Sequence, residues 1–332
     1  MVAQIDGDYV RARPGKLYSR LVSYGLFEGR PLTTRGRWIN PLVFGLFELE
    51  KRLPVMRPVK EPVFILGTGR SGTTILGIVL SMHRDVGFLN EPKALWHSAH
   101  GAEDLIGSYS RGPARYRLDE TDATPAVVQA MHRLFSAYLL GSGSRRVVDK
   151  YPELIFRVPF VRAIFPDAKF LFLARNGWDT CHSIEHWSER LGEQRNGEVH
   201  DWWGVDNRKW NLLTEQLVPE DEDLAPHVDA IRGFKRHTDM AAVEWILTMR
   251  EGLHLRARHP DCVHTVLYED LVNHPAEALT ALRAFCNLGE DATFDEYARR
   301  VLRPAPRKAP CELHPCIRDA FDSTMRMLDY TA

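Results

Sequence analysis

Short, evenly apolar runs punctuate this chain, and stretches of helical period fill the gaps between them. Pro62 to Leu66 (PVFIL) is too brief for a helix and too uniformly apolar for a half-exposed strand, which predicts a buried parallel strand. Similar runs predict strands at Val86 to Leu89, Arg146 to Val148, Lys169 to Leu173 and Val263 to Leu267. Helical patterns lie between them at Thr73 to Met82, Ala126 to Leu140, Leu154 to Phe165, Asp179 to Arg190 and Met240 to Arg258. Strand and helix in alternation predict an α/β domain with a mostly parallel central sheet flanked by helices.

Two regions depart from that alternation. Residues 1–60 form an N-terminal extension rich in Gly, Arg and aromatics, and Pro54 and Pro58 break the chain just before the first clear strand, so the main domain is expected over 61–332. From about 191 to 237 the periodicity fails among Gly, Asn, charges and the tryptophans Trp202, Trp203 and Trp210. This region reads as an insertion over the site, its tryptophans either lining an acceptor wall or packing the insertion onto the sheet. Within the extension, residues 38–53 (WINPLVFGLFELEKRL) are dense in apolar side chains; the segment either covers an exposed side of the main domain or makes peripheral contact with a membrane surface.

Composition narrows the classes. The 332 residues are 44% hydrophobic, enough for a large core, and 43 basic residues against 44 acidic ones leave no long-range field to attract nucleic acid. Any anion site must therefore be built locally. Five scattered cysteines without a C-x-x-C pair read as reduced thiols, and the polar first residues do not resemble a secretory signal; a cytoplasmic location is expected. No run reaches the roughly 18 to 20 apolar residues that a spanning helix needs.

The strongest local signal is Gly67-Thr-Gly-Arg-Ser-Gly-Thr-Thr74, directly after a predicted buried strand and directly before a predicted helix. Glycines there let backbone N–H groups turn inward on an anion, and the helix start adds its positive end. Against G-x-x-x-x-G-K-[ST], Gly67, Gly72 and Thr74 fit, yet Thr73 stands where a nucleoside triphosphatase carries its phosphate-reaching lysine. The charge sits instead at Arg70, whose guanidinium suits a terminal anionic group. A second signal follows the strand at Lys169 to Leu173, where Arg175 and Ser183 can converge on one phosphate at the open edge of a sheet.

With both motifs in order, the chain resembles the sulfotransferase family that uses 3′-phosphoadenosine-5′-phosphosulfate, nearest to its bacterial and tyrosylprotein-like branch, over about Glu61 to Asp270. The resemblance implies a P-loop NTPase-like three-layer sandwich. It also implies that the strand-loop-helix VFILGTGRSGTTIL holds the 5′-phosphosulfate and that R-x₇-S holds the 3′-phosphate. The cofactor-binding set it implies is Gly69, Arg70, Ser71, Gly72, Thr73, Thr74, Arg175 and Ser183, with Arg307 or Lys308, of which Lys308 is taken, as a residue able to fold over the 3′-phosphate. Phe88-Leu-Asn-Glu91-Pro-Lys stands where that branch carries its acidic base, and Lys150 of Asp149-Lys150-Tyr-Pro looks like the family's lysine on the bridging oxygen of the leaving group. Tyr268-Glu-Asp-Leu-Val resembles a common late segment. The sequence departs at Asn176-Gly177, where many members have Asp-Pro, and has Pro306-Arg307-Lys308-Ala309-Pro310 in place of an Arg-Lys-Gly segment.

The expected catalytic residues are Glu91, Lys150 and Arg70, acting in sulfuryl transfer to a small-molecule or glycan hydroxyl acceptor, with no metal required. His97 and His100 are rival bases; His83 reads as a helix-end residue, and His182 and His186 as surface or core-edge residues. The alternative readings are Glu91 as a capping or ion-pairing carboxylate and Lys150 as a solvated strand-end lysine. The competing functions are a P-loop kinase or triphosphatase and a nucleotide-binding protein without catalysis.

Overall fold

The computed structural model describes residues 3–31, 36–195 and 197–330. Its strands are β1 (Val63–Gly67), β2 (Val86–Asn90), β3 (Arg146–Lys150), β4 (Lys169–Ala174), the short β5 (Glu193–Arg195), β6 (Glu198–Asp201) and β7 (Gly204–Val205), and β8 (Val263–Leu267). Five of them form one sheet in the order β2-β3-β1-β4-β8 with every neighbouring pair parallel. All of β1 is buried, as its unbroken apolar run requires when both faces are covered. Phe64 and Leu66 enter the core beneath the helices Pro125–Ser142, Gly177–Leu191 and His237–Arg258. Val63 and Ile65 enter a second core beneath Thr73–Ser81, Pro275–Phe285 and Ala292–Val301. Helices on both faces of a parallel sheet make the expected three layers.

Register sets where chemistry can gather. Asn90 pairs with Lys150, Gly67 with Leu173, and Ala174 with Leu267, so the strands end side by side. The loops that follow β1, β2, β4 and β8 therefore open on one edge of the sheet, where open α/β sheets place their ligands.

The N-terminal residues seal the outer edge of β2. Lys16 Nζ donates to the Val86 carbonyl (2.6 Å), Arg20 Nη1 to the Phe88 carbonyl (3.2 Å), and Asn90 N–H donates to the Glu28 carboxylate (2.8 Å). These bonds satisfy polar groups that an edge strand leaves unpaired, and Arg20 is itself ion-paired with Glu28. The helix Asn40–Glu50 buries Val43 and Phe47 while Trp38 (83% exposed), Leu42 and Leu49 face outward. No helix among the described residues is long and apolar enough to cross a membrane.

Two predicted elements differ in detail. The helix expected over Leu154 to Phe165 is a 3₁₀ segment, Pro152–Arg157, followed by a helix, Val158–Ile164. Pro159 has no N–H to continue the first segment, and its fixed φ suits the start of the second. The region from 191 to 237 contains the antiparallel sheet β5-β6-β7 and the helix Arg208–Gln216. Its strands are two to four residues long, too short for an alternation to show. Trp203 and Trp210 are buried in the main core with rings 5.4 Å apart, while Trp202, like Trp187 of the helix Gly177–Leu191, lines the site.

Candidate functional site

A cavity of about 500 Å³ lies at the carboxyl edge of the sheet. The loop after β1 forms one wall, contributing Gly69, Arg70, Gly72, Thr73 and Thr74. Gly72 has φ +102, and a Cβ there would come within 2.4 Å of the Tyr268 ring, so both backbone and packing demand glycine. A Cβ on Gly69 would meet the Trp202 ring at 2.3 Å, which shows how closely the insertion is pressed onto this loop. Arg70 also has positive φ (+68), a strained conformation for a residue with a side chain and one typical of ligand-holding loops. Ser71 does not line the cavity. Its buried hydroxyl donates to the Thr68 carbonyl (2.6 Å) and braces the turn.

The Arg175 and Ser183 motif meets this loop directly. Arg70 Nε donates to Ser183 Oγ (3.2 Å), and Arg175 Nη1 donates to the Arg70 carbonyl (3.1 Å). Arg175 lies over the Tyr268 ring (4.3 Å to the centroid), near Asp179 (3.9 Å), and its buried Nε has no hydrogen-bond partner. Asn176 caps the helix Gly177–Leu191, its side chain accepting from the N–H groups of Trp178 and Asp179. The turn thus keeps a cap although the sequence departs from Asp-Pro. Lys308 is exposed and does not line the cavity; its backbone N–H donates to Asp179 (2.6 Å), which ties that segment beside Arg175. Burial and then the Arg175 charge lower the Arg70 pKa, while Glu91 pulls it upward. Arg70 therefore feels both the Arg175 side and the Glu91 side of the cavity.

Opposite stands the pair that ends β2 and β3. Glu91 N–H donates to the Lys150 carbonyl (2.7 Å), and the Lys150 ammonium donates to the Glu91 carboxylate. Lys150 is 1% exposed, which is not the setting of a solvated strand-end lysine. Four further charges extend the pair. Lys93 lies 3.6 Å from Glu91 and 3.0 Å from Glu153; Lys209 lies 3.8 Å from Glu153 and 2.5 Å from Glu244. Trp202 Nε1 donates to Glu244 (2.7 Å) and closes the chain against the loop after β1. Burial alone would raise the Glu91 pKa, but Lys150 and then Lys93 outweigh it and hold the carboxyl below its ordinary value. Glu153 is likewise held at about 2, burial again opposing and Lys93 and Lys209 prevailing.

Sequence reasoning passed over most of this chain. Lys93 and Glu153 carry one available signal, each lying three residues beyond a strand end that faces the site. Lys209 and Glu244 carry none, because they come from the insertion and from the middle of a long helix. The rival histidines lie elsewhere: His97 stacks on Tyr109, His100 lies 3.8 Å from Asp122, and neither lines the cavity. His83 is bonded to the Gly289 carbonyl (3.0 Å) and His182 to the Ala309 carbonyl (3.1 Å). His200, which does line the cavity, carried no signal in the sequence.

Beneath the pair, Asp149 is fully buried and accepts from Trp96 Nε1 (2.8 Å). Burial pushes its carboxyl up to about 8, against the smaller pulls of Trp96 and Lys150. The folded state thus keeps a proton that the unfolded chain releases near its value of 3.8, so this group's stability contribution falls as pH rises toward 8. Asp149→Asn keeps an acceptor for Trp96 without a titrating proton. Its Tm, measured from about pH 5 to 8, should fall less steeply with pH than that of the parent. An equal or steeper fall would contradict a protonated Asp149.

A profile described as the sulfotransferase family matches residues 62–228, about half of the chain, and the chain belongs to that family. It is 32% identical over 129 residues to a protein-tyrosine sulfotransferase of Drosophila melanogaster, a match covering 37% of this chain and 24% of that protein. It is 27% identical over 247 residues to the nodulation protein NoeE of Sinorhizobium fredii, covering 70% of this chain and 51% of that protein. The chain thus spans from a quarter to half the length of these curated relatives. Among solved structures, the sulfotransferase domain from the curacin biosynthetic pathway superposes with a TM-score of 0.50 at 16% identity, over 82% of this chain and 99% of that domain. That likeness supports the fold.

Proposed function

We propose that this chain transfers a sulfuryl group from 3′-phosphoadenosine-5′-phosphosulfate to a hydroxyl acceptor. The observation that carries the reading is the meeting of Arg70, Ser183 and Arg175, from two motifs about a hundred residues apart, opposite the Glu91–Lys150 pair in one cavity. In this reading Arg175 and Ser183 hold the 3′-phosphate, with the segment around Lys308 alongside. The N–H groups that open the helix Thr73–Ser81, the Thr73 and Thr74 hydroxyls and Arg70 hold the 5′-phosphosulfate. Glu91, kept ionised by its lysines, accepts the proton of the acceptor hydroxyl as its oxygen bonds to sulfur. Lys150 turns to the phosphate oxygen that leaves sulfur. Positioning and electrostatics supply the acceleration, as in phosphoryl transfer.

Thr73 in the lysine position speaks against a triphosphatase. Calorimetric titration with 3′,5′-adenosine bisphosphate, and separately with ATP and Mg²⁺, discriminates the readings. Tight binding of the bisphosphate is expected, followed by transfer of labelled sulfate to hydroxyl acceptors. ATP binding with no response to the bisphosphate would overturn the reading, and bisphosphate binding without transfer to any acceptor would favour a nucleotide-binding protein.

A further inference from the structure

The cavity does not end at the phosphate loop and the Glu91–Lys150 pair. Its far wall comes from the N-terminal residues Tyr24, Glu28, Gly29 and Arg30, together with Tyr109. This wall is fixed to the Glu91 loop at two points. The Glu28 carboxylate accepts from Asn90 N–H, one residue before Glu91. Gly29 lies so close to Ala94 that a Cβ would sit 2.4 Å from the Ala94 Cβ. Arg30 is thereby held on the part of the cavity wall that is tied to the loop carrying Glu91.

The charges on the cavity wall are otherwise paired. Lys150 and Lys93 face Glu91, Lys93 and Lys209 face Glu153, and Arg175 faces Asp179. Among the described residues, Arg30 and Arg70 are the cavity-lining cations without a carboxylate within ion-pair distance. Arg70 is accounted for by the donor. Arg30 is 5% exposed, lies over the Tyr24 ring (3.6 Å to the centroid) and donates through Nη1 to the Gly29 carbonyl (2.7 Å). Ring and carbonyl hold the guanidinium in place and leave Nε and Nη2 as a donor pair. A buried cation without a counter-charge is costly unless a ligand supplies one, and a fixed guanidinium fork matches an anionic oxygen group.

Resting on the sulfotransferase reading for the identity of the reaction, we propose that Arg30 is the acceptor-recognition residue and that the hydroxyl acceptor carries a carboxylate or phosphate which this guanidinium binds. The preference then arises from the side of the cavity built by the N-terminal residues, separately from the donor site.

The test is calorimetric binding of three probes to the full chain saturated with 3′,5′-adenosine bisphosphate: 4-hydroxyphenylacetate, 4-hydroxyphenyl phosphate and the neutral methyl ester of the former. At least one anion should bind about tenfold or more tightly than the ester. Arg30→Gln should erase that preference and leave bisphosphate affinity within about twofold, and Tyr24→Leu, which removes the platform, should reduce it in part. A guanidinium that merely braces the turn would leave anions and ester equal in the parent. That result, undetectable binding of both anions, or a preference that survives Arg30→Gln, overturns the proposal. Because the parent measurement needs no variant, a misfolded Arg30→Gln protein does not remove the test. Failure of the bisphosphate to bind strikes the sulfotransferase reading instead, and the probes then report on Arg30 without it.

Discussion

Glu91→Gln should lower turnover by roughly 10²-fold or more while leaving the affinity for 3′,5′-adenosine bisphosphate unchanged, because a general base acts on the acceptor and not on the nucleotide. The carboxylate lies at the meeting point of β2 and β3, with its own N–H on the Lys150 carbonyl, so the amide can occupy the same place. The substitution leaves Lys150 and Lys93 facing one carboxylate fewer, and a lower Tm is expected alongside the kinetic loss. Comparing kcat with bisphosphate affinity at a temperature well below the transition separates the two effects. The pH profile adds a second check. The lysines hold Glu91 below its ordinary 4.5, so protonation removes the base only as pH falls through that lowered value. The carboxylate limb of kcat/KM for the donor should therefore lie below about pH 4.5. Lys150→Met should move the limb upward, since the first charge holding it down is gone. Normal turnover in Glu91→Gln would shift the proton to another group, with His200 as the histidine on the cavity wall.

Arg175→Ala is expected to weaken 3′,5′-adenosine bisphosphate binding by about 2–3 kcal/mol, the scale for removing the charged partner of a buried anion. The structure adds a complication that also refines the test. Arg175 holds the Arg70 carbonyl (3.1 Å) as well as facing the cavity, so its loss also loosens the strained part of the phosphate loop. Adenosine 5′-phosphate separates these roles, since it lacks only the 3′-phosphate. If Arg175 binds the 3′-phosphate, calorimetry should show the bisphosphate losing far more affinity than the monophosphate. Equal losses would make Arg175 a brace for the loop, and unchanged affinities would refute the assignment altogether.

Much of the fold was legible because the strands are buried on both faces and so read as unbroken apolar runs, with helical period between them. The loop from Gly67 to Thr74 was legible because its requirements are local: a strand, glycines where side chains cannot fit, and a helix start. Periodicity could not reveal the region from 191 to 237, whose short strands and buried Trp203 and Trp210 take their order from the main core. Nor could it show that Trp202 presses on Gly69, or which histidine would face the cavity.

What the sequence determined by itself was the α/β order and the two strand-loop-helix motifs that carry Arg70 and Arg175, since each depends on neighbours a few positions away. Only the tertiary structure decided what surrounds them. The alternating chain from Lys150 through Glu91, Lys93, Glu153 and Lys209 to Glu244 is assembled from elements far apart in the chain. The wall bearing Arg30 exists because Lys16, Arg20 and Glu28 close the open edge of β2. Charge pairing and edge sealing act between distant segments, so they become visible when the strands stand in register.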